Sequence, residues 1–242
     1  MNKQPFFLLC LLGIGTGLQA QDSSITQLVN PPAVENAVAV YYSSVDHQSR
    51  LYNGIEHIGY SPRIKGHAYF QEVEMQKGTI VYDGLVYTDV PMWYDLLKEQ
   101  VIIQHFNKFT RIGLVSQKVT AFTLLNHHFI RLEIDSTLGL PISTGFYDLL
   151  YKGPSTVLVR RVKTIYEIVK DEVEREFTQQ NYYFIQKDST YYSVKNYKGL
   201  LTIFKDRSKE IKQYLRKIKV RYKKDKENAI VKAAAYYDSL NR

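Results

Sequence analysis

The chain has 242 residues, a formal net charge of +8 and an aromatic content of 13%, most of it tyrosine. Its single cysteine, Cys10, lies in an N-terminal segment that we expect to be removed. This composition excludes thiol catalysis, disulfides and cysteine-bearing metal sites in the mature chain. No stretch after residue 20 reaches the roughly 18 apolar residues that a membrane-spanning helix needs.

Residues 1–20 have the pattern of a secretory signal peptide. Lys3 supplies the positive charge, residues 5–18 are apolar apart from Gly and Thr, and Leu18-Gln19-Ala20 resembles a small-residue cleavage site. We therefore expect an exported protein that is cleaved after Ala20. Because an exported chain without disulfides is more typical of bacteria, we expect it in the periplasm or associated with the outer membrane.

Residues 21–197 are predicted to form a β-rich domain whose first part is ambiguous. Residues 21–30 are polar, and Pro31-Pro32 precedes residues 33–45, where Ala, Val and Tyr favour a short helix or a strand. The first clear strand pattern is Gly66–Phe70.

The stretch Gly78–Asp95 contains the clearest hairpin signal. Asp83-Gly84 separates two runs rich in β-branched and aromatic residues, and this dipeptide favours a two-residue type I′ turn. The turn predicts that Tyr82 pairs with Leu85. Neither face of the hairpin is charged, so we expect both faces to be covered and the hairpin to lie inside a larger sheet. Pro91 cannot donate a hydrogen bond and is predicted to end the second strand.

Further strand-length runs follow at regular spacing, joined by short polar turns. They cover residues 92–94, 101–105, 111–115, 118–125, 129–134, 145–151, 156–165, 182–186 and 190–194. The charged segment 167–177 is expected to be a helix or an excursion. The fold class is therefore mainly β (α+β), with an antiparallel meander that forms a curved sheet, a sandwich or a barrel.

Residues 198–242 are predicted to form a basic helical C-terminal lobe packed on that domain. Two apolar stripes have helical spacing: Ile211, Tyr214, Leu215 and Ile218 in one, and Ile230, Ala233, Ala234 and Tyr237 in the other. Asp206 or Ser208 is the expected cap of the first helix, and Asp225 of the second. Between residues 205 and 226 there are 11 Lys/Arg and 3 Asp/Glu, so the rest of the mature chain is close to neutral.

Four segments together carry a resemblance: YDGLVYTDVPMWYD, GFYDLLYKG, NYYFIQKDSTYYSVK and the ending KDRSKEIKQYLRK…AAAYYDSL. The chain resembles a family of secreted, β-rich Bacteroidota proteins to which no activity is attached. The resemblance implies an extracytoplasmic β-rich domain with a helical C-terminus. It transfers no functional residue.

The sequence contains no recognisable catalytic constellation. Gly-x-Ser-x-Gly and Ser-x-x-Lys motifs are absent, as is His-Glu-x-x-His. The pair His127-His128 is expected at a solvated turn. Asp83, Asp89 and Asp95 lie near aromatics, but a turn, a strand end and a cap account for them. We therefore predict no catalytic residue, no metal site and no cofactor.

Two groups of residues are candidates for binding. Trp93 with Tyr82, Tyr87 and Tyr94 could form an aromatic platform for a sugar ring or an apolar ligand, although aromatic residues in strands are more often core. The second group is basic and would contact an anionic surface: Lys209, Lys212, Arg216, Lys217 and Lys219. The predicted export argues against nucleic acid as its partner. The alternative is a helix that packs its apolar stripe on the sheet and exposes its lysines to water.

The leading hypothesis is a non-enzymatic envelope protein that binds or scaffolds a partner, either an envelope protein or an anionic membrane surface. The alternative is a ligand-binding β-barrel for a hydrophobic or saccharide molecule, and the lowest-ranked hypothesis is an enzyme of unrecognised type. The oligomeric state stays open.

Overall fold

The computed structural model describes residues 50–169 and 173–240. The predicted signal peptide, its cleavage after Ala20 and the helix or strand over residues 33–45 lie outside these residues.

A single sheet of twelve strands dominates the described chain, and it does not close on itself. The strands are β1 (Ile55–Glu56), β2 (Ile64–Lys65), β3 (Gln76–Tyr82), β4 (Leu85–Asp95), β5 (Gln100–Gln104), β6 (Arg111–Gly113), β7 (Val119–Leu124), β8 (His127–Leu132), β9 (Gly145–Lys152), β10 (Thr156–Val169), β11 (Val173–Lys187) and β12 (Thr190–Ser193). Their order is β1-β6-β5-β4-β3-β7-β8-β9-β10-β11-β12, and all these neighbours are antiparallel; β2 pairs with β11 in parallel. The mainly β, antiparallel prediction is confirmed.

The β3–β4 hairpin lies in the middle of this sheet, as predicted. Tyr82 pairs with Leu85, and Asp83 and Gly84 have φ values of 51° and 79°, which confirms the type I′ turn. The expectation that both faces are covered is wrong. Tyr82 is buried, whereas Val86 on the other face is 55% exposed, because no layer of the described chain covers that face along this part of the hairpin.

Strand β4 does not end at Pro91, so that prediction is also wrong. Gly78 pairs with Val90 and Ile80 with Tyr87, which leaves one extra residue in β4. This bulge is accommodated by Asp89, whose φ is 55°. Pro91 is tolerated because β5 pairs with β4 only from Met92 onwards, so position 91 has a strand neighbour on one side alone.

Three other local predictions are wrong. Gly66–Phe70 forms only an isolated bridge, between Tyr69 and Asp95. The β7–β8 turn is Leu125-Asn126, so His127 and His128 lie in strand β8 and not in the turn where they were expected. The described parts of the segment 167–177 belong to strands, because β10 and β11 pair with each other as far as Val169 and Val173.

The core of the sheet is aromatic. Tyr94, Phe122, Phe129 and Phe146 are each at most 2% exposed. The rings of Phe122 and Phe129 are stacked with centroids 4.7 Å apart, and Tyr94 meets Phe122 edge-on at 5.1 Å. Such contacts add specific geometry to the burial of large apolar surfaces, so this cluster fixes how β4, β7, β8 and β9 pack.

Three helices follow the sheet: α1 (Tyr197–Ile203), α2 (Ser208–Lys217) and α3 (Lys226–Leu240). Short 3-10 turns lie at Arg50–Tyr52, Ser116–Lys118, Ser136–Leu138 and Lys205–Arg207. No helix in the described part of the chain combines the length and the hydropathy required to span a bilayer.

The predicted apolar stripes of the helices face the sheet. Ile211 and Ile230 are fully buried, and they belong to one cluster with Val157 and Val159 of β10 and Ile185 of β11. Burying an aliphatic side chain of this size contributes about 1.5–3 kcal/mol, so this contact accounts for the position of the lobe.

Caps define two of the helix starts. The carboxylate of Asp225 accepts a hydrogen bond from the amide of Asn228 at 3.1 Å, as predicted, and Asn196 caps α1 by accepting from Gly199 at 2.9 Å. Helix α2 has no side-chain cap. The prediction of Asp206 or Ser208 was wrong there, because Asp206 instead accepts a hydrogen bond from the Tyr237 hydroxyl at 3.0 Å.

Candidate functional site

The basic residues predicted to meet an anionic surface all lie on the outside of the helical lobe. Lys209, Lys212, Arg216, Lys217 and Lys219 are exposed. The acids of the lobe are engaged elsewhere, since Arg207 pairs with Glu210 at 3.4 Å and Lys187 with Asp206 at 3.7 Å. Within the described chain, none of the five predicted residues has a carboxylate partner.

Two of these residues, Lys209 and Lys212, help to form a cleft of about 470 Å³. Lys198 of α1 and Lys205 of the following 3-10 turn complete it, and we call it the four-lysine cleft. The other lining residues are Leu201, Thr202 and Ser208. The lining therefore contains hydroxyl groups and ammonium groups but no carboxylate, which makes the cleft strongly attractive to an anion.

A second cleft lies at the end of α2 and has a volume of about 720 Å³. Arg216, Lys219, Arg221 and Lys224 line it, and we call it the mixed cleft because it combines arginine with lysine. Asp225 is the one carboxylate in its lining, and its oxygen is already used in capping α3. Arginine binds phosphate through paired N–H donors, whereas lysine acts as a compact point charge.

The sequence prediction identified only half of the cations in these clefts. Lys205, Arg221 and Lys224 lie in the charge-rich segment but have no distinguishing spacing, and Lys198 precedes that segment. Only the turn between α1 and α2 brings Lys198 beside Lys212. Lys217 lines neither cleft.

The packing of the lobe decides how it could meet a membrane. Ile211 is fully buried, and Ile218 packs against the same core cluster. A stripe that contacts the sheet cannot also enter the lipid interface. The lobe therefore presents charge without an apolar face, and any contact with a membrane through it would be electrostatic.

The aromatic residues that the sequence grouped as one platform are separated by the sheet. Tyr82, Tyr87 and Tyr94 are at most 9% exposed and point into the core. Trp93 points to the opposite face because neighbouring strand residues alternate. Its ring is stacked on Tyr69, with centroids 4.2 Å apart and an interplanar angle of 12°. The sheet also does not close into the barrel that the alternative hypothesis requires.

The surroundings of Trp93 are polar as well as aromatic. The guanidinium of Arg111 lies 5.0 Å from the centre of the Trp93 ring, and His57 Nε2 lies 3.2 Å from the Tyr69 hydroxyl. Burial lowers the pKa of His57 and also that of His67, and in each case it is the largest cause. Burial therefore favours the neutral form of both imidazoles.

Asp95 ties the same region together. Its carboxylate accepts a hydrogen bond from the Tyr60 hydroxyl at 2.6 Å and others from the amides of Leu97 and Lys98 at 2.8 and 3.0 Å. Burial and this hydrogen bond raise the pKa of Tyr60 far above its ordinary value. Asp95 is fully buried, so it acts as the predicted cap and is inaccessible to a ligand.

A buried charge network joins the sheet to the lobe. The guanidinium of Arg161 donates to Asp148 at 2.8 and 2.6 Å and to Glu227 of α3 at 2.9 Å. His127 Nδ1 lies 2.7 Å from the same carboxylate of Asp148. Burial opposes the charge on Arg161, but the two carboxylates outweigh it and raise the pKa of this guanidinium. His127 is thus part of a structural network, contrary to the solvated turn expected for it.

A third cleft, of about 600 Å³, lies beside the β3–β4 bulge. Polar residues of β3, β4, β7 and β8 line it, among them Thr79, Asp89, Thr123 and His128. Its lining contains neither tyrosine nor tryptophan, so it does not match the aromatic ligand pocket proposed from the sequence. The described residues also contain no group of three metal-ligating side chains.

In comparisons with known proteins, no family model, curated protein or solved structure matches the chain. The resemblance to secreted Bacteroidota proteins therefore stays a prediction.

The charge network predicts a large effect of Arg161→Met. This change leaves Asp148, whose side chain is 1% exposed, with only His127 as a partner. Removing one member of a buried ion pair costs about 3–5 kcal/mol, so we expect the free energy of unfolding in urea to fall by that order. Arg175→Met is the control, because Arg175 and Glu167 are 55% and 53% exposed and such pairs contribute about 1 kcal/mol or less. Equal losses in both variants would show that the network contributes no more than a surface pair.

The lowered pKa values predict a loss of stability in acid. Below the ordinary pKa of 6.5 the unfolded state binds more protons than the folded state, because burial lowers the pKa of both histidines in the folded protein. The contribution of His57 and His67 to folding stability is therefore fully present above that pH and declines as the pH falls. We expect His57→Gln to show a smaller drop in melting temperature between pH 8 and pH 5 than the parent. The exposed His128→Gln is the control and should keep the parent profile. A parent-like profile for His57→Gln would contradict the prediction.

Proposed function

We propose that this is a non-enzymatic protein of the cell envelope that binds an anionic membrane surface through its basic helical lobe. The observation that carries the proposal is the pair of clefts, whose lining brings together eight Lys/Arg side chains and one carboxylate. Export is supported by the N-terminal signal pattern. The chemical groups recognised would be the phosphates of lipid headgroups.

The distribution of charge supports a surface as the partner. The two clefts occupy the beginning and the end of α2, which is 10 residues long and therefore about 15 Å in length. Phosphates in a lipid headgroup layer can occupy both clefts at once, whereas one small anion can fill only one. Each Lys or Arg near an anionic membrane contributes about 1 kcal/mol, and the attraction decays within a Debye length of about 8 Å at physiological salt.

The chemistry of the clefts supports binding without catalysis. Their lining consists of cations, hydroxyls, one amide and aliphatic side chains, together with Asp225. Phosphoryl or acyl transfer needs a positioned nucleophile or a general base. Asp225, the one acid present, is used as a helix cap.

The backbone at Lys219 supports a role for its charge. Lys219 has a φ of 57°, and its amide donates to the carbonyl of Arg216 at 3.0 Å in the turn that ends α2. Glycine is the usual residue at this left-handed position because a side chain there costs about 1 kcal/mol. A lysine at this point supplies a cation to the mixed cleft at the expense of local stability.

Charge reversal in the four-lysine cleft gives a direct test. We expect the double variant Lys209→Glu/Lys212→Glu to lose at least tenfold in affinity for vesicles of equimolar phosphatidylcholine and phosphatidylglycerol, measured by co-sedimentation. Binding by the parent should weaken steeply with added NaCl. The matched control is Lys77→Glu/Lys152→Glu, which makes the same charge change at exposed positions of the sheet. Equal losses in the two double variants would reduce the effect to net charge and refute a specific role for the lobe.

The variant Lys219→Gly is expected to change membrane binding and folding stability in opposite directions. We expect this variant to be more stable than the parent by about 0.5–1 kcal/mol in urea unfolding, because glycine adopts the left-handed conformation without strain. Its affinity for the same vesicles should nevertheless fall, because one cation of the mixed cleft is lost. A variant that is stabilised and binds like the parent would show that Lys219 has no part in binding.

A further inference from the structure

A second part of the molecule, far from the lobe in the chain, has the properties of a lipid contact. Phe109 is 88% exposed in the turn between β5 and β6. Phe106 in the same turn is 40% exposed. We propose that this turn, residues 105–110, inserts Phe109 into the interface of an anionic lipid bilayer. The proposal concerns an apolar contact and depends on no residue of the basic lobe.

The turn is rigidly built around Asn107. The Asn107 side-chain oxygen accepts hydrogen bonds from the amides of Phe109 and Thr110 at 3.0 and 2.9 Å, and its nitrogen donates to the Thr110 hydroxyl at 3.0 Å. The backbone closes the turn, because the amide of His105 donates to the carbonyl of Thr110 at 2.9 Å. The exposure of Phe109 is therefore imposed by a defined conformation. A turn whose backbone is already fixed loses little conformational freedom when its ring enters an apolar layer.

The charge around the turn is complementary to an anionic surface. Lys108 precedes Phe109, Arg111 follows it two residues later, and residues 100–132 include no Asp or Glu. The paired edge strand contributes one acid, Glu56, opposite Ile112, so the turn and its base keep an excess of positive charge. Lys108 has a φ of 63° and is exposed beside the phenylalanine. An aromatic side chain that enters the acyl boundary with cations at headgroup level is the arrangement found in interfacial membrane anchors.

The segment that follows edge strand β1 adds a further exposed apolar side chain near the turn. The amide of His57 donates to the carbonyl of Arg111 at 2.8 Å, which places Ile58 next to the base of the turn. Ile58 is 78% exposed. An acidic protein partner would also match the cations, but a small protruding turn with one dominant exposed ring suits a deformable lipid layer better than a preformed pocket. The partner we assign to this turn is therefore an anionic lipid bilayer.

A single-tryptophan reporter tests insertion. The chain has one tryptophan, so Phe109→Trp combined with Trp93→Phe places the only indole at the tip of the turn. We expect its emission to shift to the blue, and its quenching by acrylamide to fall, when equimolar phosphatidylcholine–phosphatidylglycerol vesicles are added. The matched control is Tyr166→Trp with Trp93→Phe, because Tyr166 is 61% exposed at a different site, in β10. It should show neither change.

A second variant leaves Trp93 in place and measures affinity. Phe109→Ser should weaken binding to the same vesicles about tenfold, because burial of a phenylalanine ring is lost. The salt dependence of binding should be unchanged, because no charge is removed. Lys209→Glu/Lys212→Glu should instead reduce the salt dependence.

The two proposals can fail separately. Insertion of the turn is refuted if two results occur together. Phe109→Ser would bind the vesicles like the parent, and the emission of the Phe109→Trp reporter would not shift with vesicles that the parent binds. The role of the lobe would then stand. If the lobe variant binds like the parent while the reporter still shifts, the turn is supported and the lobe proposal fails.

Discussion

The apolar contact between the C-terminal helices and strands β10 and β11 is the constraint on which the rest of the structure depends. Where β10 and β11 meet the helices, around Val157–Val159 and Tyr183–Ile185, the strands are buried on both faces. Val159 and Ile185 contact the helices, while Leu158 and Phe184 belong to a separate cluster on the other side. A sheet region of this kind cannot be exposed to water without a large hydrophobic penalty. The helices must therefore turn their apolar stripes inward. Their lysines and arginines then have no position available except the outer surface.

The network around Arg161 gives this contact a unique arrangement. Hydrophobic burial is non-directional, whereas a buried guanidinium tolerates few positions because its carboxylate partners must remain within hydrogen-bond distance. Glu227 approaches Arg161 from α3 and Asp148 from β9. A second polar link has the same effect at the other end of α3, where Asp238 accepts hydrogen bonds from the Tyr151 hydroxyl and the Ser155 amide. These bonds fix the orientation of α3, and with it the mixed cleft beside its start.

The two proposed contacts follow different physics. The lobe offers a concentration of positive charge whose attraction decays within about a Debye length, so it would bring the protein to an anionic surface and respond to salt. The Phe109 turn offers one exposed ring on a rigid support, so it would act only at contact and respond little to salt. Together they resemble the combination of a polybasic patch with an apolar anchor, in which neither signal alone gives stable attachment.

The sequence by itself determined the features that depend on local chemistry. Asp83-Gly84 specified its turn and register, the 3.6-residue period specified the apolar stripes, and Asp225 specified a cap, because each depends on residues close in the chain. The tertiary structure decided what depends on distant partners. Asp206 accepts a hydrogen bond from Tyr237 instead of capping α2, and Pro91 is tolerated because β5 does not pair with β4 at that position. Packing between distant segments also separates Trp93 from the tyrosines and brings Lys198 and Lys212 into one cleft. The sequence pattern does not specify these contacts.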